Sequence, residues 1–110
     1  MALLHASPAE AIDVTPYGAR LGGARTYALF KAEDMEVIRV VLHAGQSLPP
    51  HHVPGSVSLH CLEGSFEVLL GQSVRQLERG QLMHIPPNMP HAVRAIEDSS
   101  ALVTIVLCQG

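Results

Sequence analysis

From Arg25 onward the apolar residues of this chain come in short runs rich in Val, Leu and Ile, each cut off by Gly, Pro or a polar cluster. Such runs, separated by turn residues, argue for a β-sandwich or barrel rather than for alternating helices. The pattern predicts strands near 26–31, 37–43, 57–63, 66–70, 74–77, 82–85, 92–96 and 102–107. A helix over 33–43 is disfavoured because the β-branched Val37, Ile38, Val40 and Val41 crowd a helix more than a pleated strand. Between two of the runs, Gly71-Gln72 has the form of a tight hairpin loop, with Gly where a positive φ is needed. A length of 110 residues suits one domain. With 4% aromatic residues and no Trp, the interior is expected to be filled by Val, Leu, Ile and Ala.

Two predicted strands, 37–42 and 101–107, are apolar on both faces instead of alternating, which implies that their outer face is covered too. A homodimer would cover it. So would residues 1–23, which Pro8, Pro16, Gly18, Gly22 and Gly23 mark as a peripheral N-terminal arm preceding a domain over 24–110. Within the arm, Ser7-Pro8-Ala9-Glu10 has the form of a capping box with Pro at the first helical position, predicting one helical turn that ends before Pro16. A net charge of −3 with seven Lys and Arg provides no basic stripe, so nucleic acid is excluded as a partner. Cys61 and Cys108 lie in apolar runs, where cysteine behaves as a small hydrophobe, and two thiols make no disulfide framework; a reducing cytosol is expected. The N-terminus lacks the features of a signal peptide and no apolar run reaches membrane-spanning length, so a cytoplasmic protein without a membrane partner is expected.

The histidines fall into two spaced groups. Gly45 is followed after five residues by His51-His52 and later by Gly64; Gly80 is followed after five residues by Pro86-Pro87-Asn88 and then His91. Gly45, Gly64 and Gly80 sit between predicted strands, where the chain must reverse, and Asn88 is among the few residues that tolerate the left-handed region. Pro86, Pro87 and Pro90 stiffen the segment that presents His91. These two stretches resemble the motifs of the cupin superfamily, and His51-His52-Val53-Pro54-Gly55 with the following 57–64 resembles the small single-domain, RmlC-like members. The resemblance implies an all-β fold, an antiparallel double-stranded β-helix or jelly-roll barrel with a short N-terminal arm. It also implies a metal site of three His and one Glu. His51 and His91 keep two of those positions, while Val53 stands at that of the second His, Val57 at that of the Glu, and Ala95 at that of a motif Asn.

Two imidazoles alone seldom hold a transition metal, so a site for Zn, Fe, Mn or Ni would need His52, His60 or His84 to join His51 and His91. Strand alternation puts Val57, Leu59 and Cys61 on one face and His60 on the other. Two functions remain open: a pocket for a small molecule, anchored by His51 and His91 and lined by Val53, Val57, Cys61 and Met89, with no cofactor; or a metal-dependent enzyme of oxygenase or isomerase type. A purely structural dimer module is the third alternative. Glu63, Glu67, Glu97 and Asp98 border turns and are expected to be solvated. No Ser-His-Asp set, phosphate loop or carboxylate pair is present at a spacing that would support acid-base chemistry.

Overall fold

The computed structural model describes residues 5–107, apart from the side chain of His51. It contains nine strands: β1 (Tyr27–Lys31), β2 (Met35–Leu42), β3 (Ser47–His51), β4 (Val57–Glu63), β5 (Ser65–Leu70), β6 (Ser73–Glu78), β7 (Leu82–Ile85), β8 (His91–Ala95) and β9 (Ser99–Val106). They form two antiparallel sheets, ordered β1-β2-β9-β4-β7 and β3-β8-β5-β6, packed face to face as a jelly roll. The eight strands expected from the sequence are all present. The two-residue hairpin also forms, with Leu70 opposite Ser73 and Gly71 at φ +62°. Among the described residues no helix is long and apolar enough to cross a membrane.

The ninth strand, β3, was not expected, because Pro49-Pro50 reads as a break. It survives because it lies at the edge of its sheet, where a proline can leave a ladder bond unmade. Its register against β8 slips between Leu48 and His51, across the two prolines.

The core lies between the sheets. On β4 the alternation is complete: Val57, Leu59 and Cys61 are buried, and Ser58, His60 and Leu62 are only partly so. Val40 and Leu42 of β2 and Ala101 of β9 complete the same face, against Phe66, Val68, Leu77, Val93 and Ala95 of the other sheet. The aliphatic interior expected from composition is what forms, with Phe66 its one aromatic member.

The outer face of β2 and β9 is covered over half its length. Residues 39–42 of β2 and 99–101 of β9 are buried, and the opposite ends of both strands are not. The cover is the N-terminal arm, whose 3₁₀ turn Gly18–Gly23 buries Leu21. A charged clasp holds it. The Glu63 carboxylate accepts the backbone N–H groups of Tyr17 (3.0 Å) and Gly18 (3.1 Å) and the Ser100 hydroxyl. Arg39 donates to the Thr15 carbonyl at 2.7 Å, lies 3.5 Å from Glu63 and has its guanidinium 3.9 Å from the centre of the Tyr17 ring. Glu63 was expected to be solvated and is instead 8% exposed. The reason is a bulge: Cys61 pairs with Ala101 but Glu63 pairs with Ser100, so the extra residue turns Glu63 to the outer face beside Arg39. Further along the arm, Ser7-Pro8-Ala9-Glu10 is a turn and not a helical one. Glu10 does reach back to the Ser7 N–H at 2.8 Å, but Ala9 takes φ +65°, which closes a turn and stops a helix.

Candidate ligand cavity

The half of the sandwich away from the clasp is hollow. Between the sheets lies a cavity of about 280 Å³ whose walls are almost entirely carbon. Ile38 and Val40 of β2, Val57 and Leu59 of β4, and Val103 and Ile105 of β9 supply one wall by the alternation that fills the core elsewhere. The other sheet contributes Phe66, Val93 and His91, and Leu48, Pro49 and Val53 form the rim near β3. Thr26 is the other polar lining residue, and its hydroxyl is engaged with Val41, accepting its N–H at 2.8 Å and donating to its carbonyl at 3.1 Å.

His91 is 4% exposed and is the one titratable residue among those that line the cavity. The loop before it is fixed from both ends. Asn88, at φ +63°, donates its N–H to the Val53 carbonyl (2.8 Å), and the Met89 N–H reaches the Pro86 carbonyl (3.3 Å). The His91 Nδ1 then lies 3.0 Å from the Met89 carbonyl. A carbonyl can only accept, so in the neutral ring Nδ1 carries the proton and Nε2 is the acceptor nitrogen. The 52–56 loop is pressed onto the end of β9: a Cβ on buried Gly55 would collide with the Val106 carbonyl, and the Val106 N–H donates to the Ser56 carbonyl.

The predicted site residues separate into groups. His91, Val53 and Val57 line the cavity. His51 is the register partner of His91 across β3 and β8; its side chain lies outside the described structure. Cys61 is wholly buried one layer deeper, with its Sγ 3.5 Å from the Glu63 carbonyl, and burial pushes its thiol pKa up to about 11. It is a core residue and not a lining one. Met89 is 36% exposed on its loop and stands outside the cavity wall, as does the exposed His52. His60 and His84 are placed on the outer face, because the β4 and β7 register pairs Ser58 with His84 and Leu59 with Met83, setting both imidazoles on the side away from Leu59. His84 meets the Ser56 hydroxyl at 3.1 Å, and His43 lies 3.8 Å from Asp98 at the surface. Of the lining residues that the sequence reading did not single out, Ile38, Val40, Ala101, Val103 and Ile105 belong to the two strands noted as apolar on both faces, and the rest come from β3, β4, β5, β7, β8 and the residue before β1.

Among the described residues the donor set does not fit a metal ion of the kind the resemblance implied. Val53 and Val57 present carbon where a His and a Glu would stand, and among the described residues no three His, Cys, Asp or Glu side chains converge.

Two antiparallel sheets packed over a carbon-walled cavity, with a histidine at the start of β8 on its wall, define a small cupin-type β-sandwich. The cupin domain family model matches residues 38–108, and the chain belongs to that family. Among solved structures it is similar to an RmlC-like cupin protein from Desulfovibrio desulfuricans (28% identity, TM-score 0.74, 88% of this chain and 96% of that one). It is also similar to a conserved protein of unknown function from Streptococcus pyogenes (22% identity, TM-score 0.76, all of both chains). DMSP lyase DddQ from Ruegeria pomeroyi matches at 27% identity and a TM-score of 0.66, over 74% of this chain and 45% of that one. A search of curated proteins gives no match.

Proposed function

We propose that this chain is a small-molecule-binding cupin that uses the cavity between its sheets, with the His91 side of the cavity, where β3 brings His51 alongside, as the polar anchor. The observation that carries this reading is that, among the described residues, His91 is the one titratable group on a wall that is otherwise carbon apart from the Thr26 hydroxyl. A cavity of this kind, with few polar groups at fixed positions, is what small-molecule sites look like. The valines at 53 and 57 support binding without a resident metal.

A thermal-shift screen of metabolites, followed by titration of any hit against His91→Ala and a cavity-blocking Val53→Phe, tests the reading. A hit weakened by both variants is expected; hits indifferent to both would overturn it. Elemental analysis of protein made in metal-supplemented medium separates it from the metal-dependent enzyme. Substoichiometric metal, unchanged by His91→Ala, is the expected result, and stoichiometric metal lost in that variant would favour the enzyme.

A further inference from the structure

We propose that the uncovered half of the outer face of the five-stranded sheet is where a second copy of this chain docks, face to face about a two-fold axis nearest β9, the middle strand. This goes beyond the cavity and does not depend on what fills it.

The face is fixed by what lies on the other side of the same strands. Ile38, Val57, Leu59, Ile85, Val103 and Ile105 line the cavity, so their neighbours in sequence turn outward. Val37, Thr104, Ser58 and His84 form one outer row across β2, β9, β4 and β7. Leu102, His60 and Leu82 form the next, which ends on β2 at Arg39 beneath the arm. Arg39 and Glu63 are the ionised residues that these four strands turn outward, and both are buried against each other in the clasp. The rest of the face carries no charge. A sheet face open to water ordinarily mixes polar and charged side chains into its outward positions. The outer face of the four-stranded sheet does so: Glu67 and Arg94 lie 3.6 Å apart there, both in solvent, beside Leu69 and Val74. The five-stranded sheet instead leaves Leu82 and Val106 exposed with no ion pair around them.

The occupant follows from the kind of polar group present. Ser58, Thr104, His60 and His84 are the polar residues of the two rows apart from Arg39, and a hydroxyl or a neutral imidazole both donates and accepts a hydrogen bond. Such a group can pair with its own counterpart across a two-fold axis, which an ammonium or a carboxylate cannot do. Two copies of this face therefore meet without like-charge repulsion, although the chain as a whole carries a net charge of −3. An unlike partner finds no charge here to steer or select it, and an anionic membrane finds no exposed Lys or Arg. Strand spacing sets the size. Four strands give a width of about 20 Å, and five uncovered residues along each give about 17 Å. That is small for an interface, so the pair is a reversible one, with a dissociation constant on the order of 10–100 µM.

The experiment is sedimentation equilibrium of the full chain at pH 7.5, loaded up to about 1 mM. A reversible monomer–dimer equilibrium is expected, tightening as salt screens the net charge. Thr104→Lys, on the middle strand, should weaken it at least about tenfold. Leu82→Lys, at the edge of the face, should weaken it less. Val74→Lys makes the same change in net charge on the other sheet and should leave the dimer intact. Thr104→Lys mixed with Thr104→Glu should form a heterodimer that neither variant matches with itself. Thermal midpoints near that of wild type confirm that the variants are folded; should Thr104→Lys not fold, Leu82→Lys, at a position already 68% exposed, decides in its place. A wild-type chain that stays monomeric at the highest loading overturns the proposal. So does a dimer indifferent to lysine at 104 and 82, or one that Val74→Lys dissociates as readily.

Discussion

The two faces of strand β2 are built on opposite principles. Ile38 and Val40 turn inward to a cavity walled by carbon, while Arg39 between them turns outward into the most densely bonded polar cluster described here. Arg39 is 2% exposed and Glu63 8%, yet neither lines the cavity. Buried charge in this chain therefore serves to fasten the arm, and the inner face is left free of it. A buried ion pair is weak evidence for net stability, since desolvation offsets its attraction, but it is strong evidence for a specified arrangement once both partners are in place. Here the carboxylate also takes up two consecutive backbone N–H groups of the arm, so the pair fixes where the arm crosses the sheet.

The comparison can be broken most forcefully at Glu63. Glu63→Ala strands the Arg39 cation in a buried position and orphans the Tyr17 and Gly18 N–H groups, and is expected to cost about 3–5 kcal/mol in a denaturant titration. Limited proteolysis should then cut within residues 13–24 before the domain; equal protection of the arm in wild type and variant would refute the clasp. A smaller effect tests the contrast between solid and hollow halves. Ala95 and Ala101 are both fully buried, but only Ala101 borders the cavity. Ala95→Val adds carbon to a filled core and should cost about 1–3 kcal/mol. Ala101→Val extends into open space and should change stability by less than about 1 kcal/mol, while weakening any cavity ligand. Equal penalties for the two would mean that the cavity is not room the protein can spare.

What could be read in the sequence followed from local rules. β-branched runs and turn residues located eight strands, and the period of two on β4 was enough to send His60 outward. The features that escaped reading depend on partners distant in sequence. Pro49-Pro50 in a strand is legible only once β3 is known to be an edge. The environment of Glu63 depends on one extra residue in β4 relative to β9, a shift invisible to alternation, which would have put Glu63 on the face of Cys61. The apolar outer face of β2 and β9 correctly signalled a cover, and the arm provides it over the 39–42 end; the uncovered part of that sheet still carries exposed Leu82 (68%) and Val106. His84 illustrates the limit of alternation without an anchor: its strand reads equally well either way up until Ile85 is seen to be the buried member.

Acid provides a gentler probe of the clasp than mutation. Burial pushes the Glu63 carboxyl up, but the Ser100 hydroxyl, the Tyr17 and Gly18 N–H groups and Arg39 together outweigh it, so its pKa falls below the usual carboxylate range. A carboxyl lowered on folding adds stability that is fully present above its unfolded value, about 4.3, and is lost as pH falls through the lower folded value. Thermal midpoints should therefore be insensitive to Glu63 between pH 6 and 8 and decline below about pH 4.3. Glu63→Gln should be less stable at neutral pH and show a shallower acid decline; parallel curves for the two proteins would detach the acid limb from this group.

The smallest effect belongs to Cys61, and it bears on the same contrast because this thiol lies beneath the cavity floor in the solid half. Its Sγ sits near the carbonyls of Glu63 and Gly64, and burial raises its pKa to about 11, so at pH 8 almost no thiolate exists. The thiolate is the reactive form. In a Cys108→Ser background, which leaves Cys61 as the only thiol, labelling with a disulfide reagent at pH 8 should be slow in the native protein and rapid in denaturant. Because reaction requires opening of the closed half, a cavity ligand should slow labelling only by its effect on global stability, whereas Glu63→Ala should accelerate it. Rapid native labelling, unaffected by Glu63→Ala, would mean that the region under the clasp is as open as the region above it.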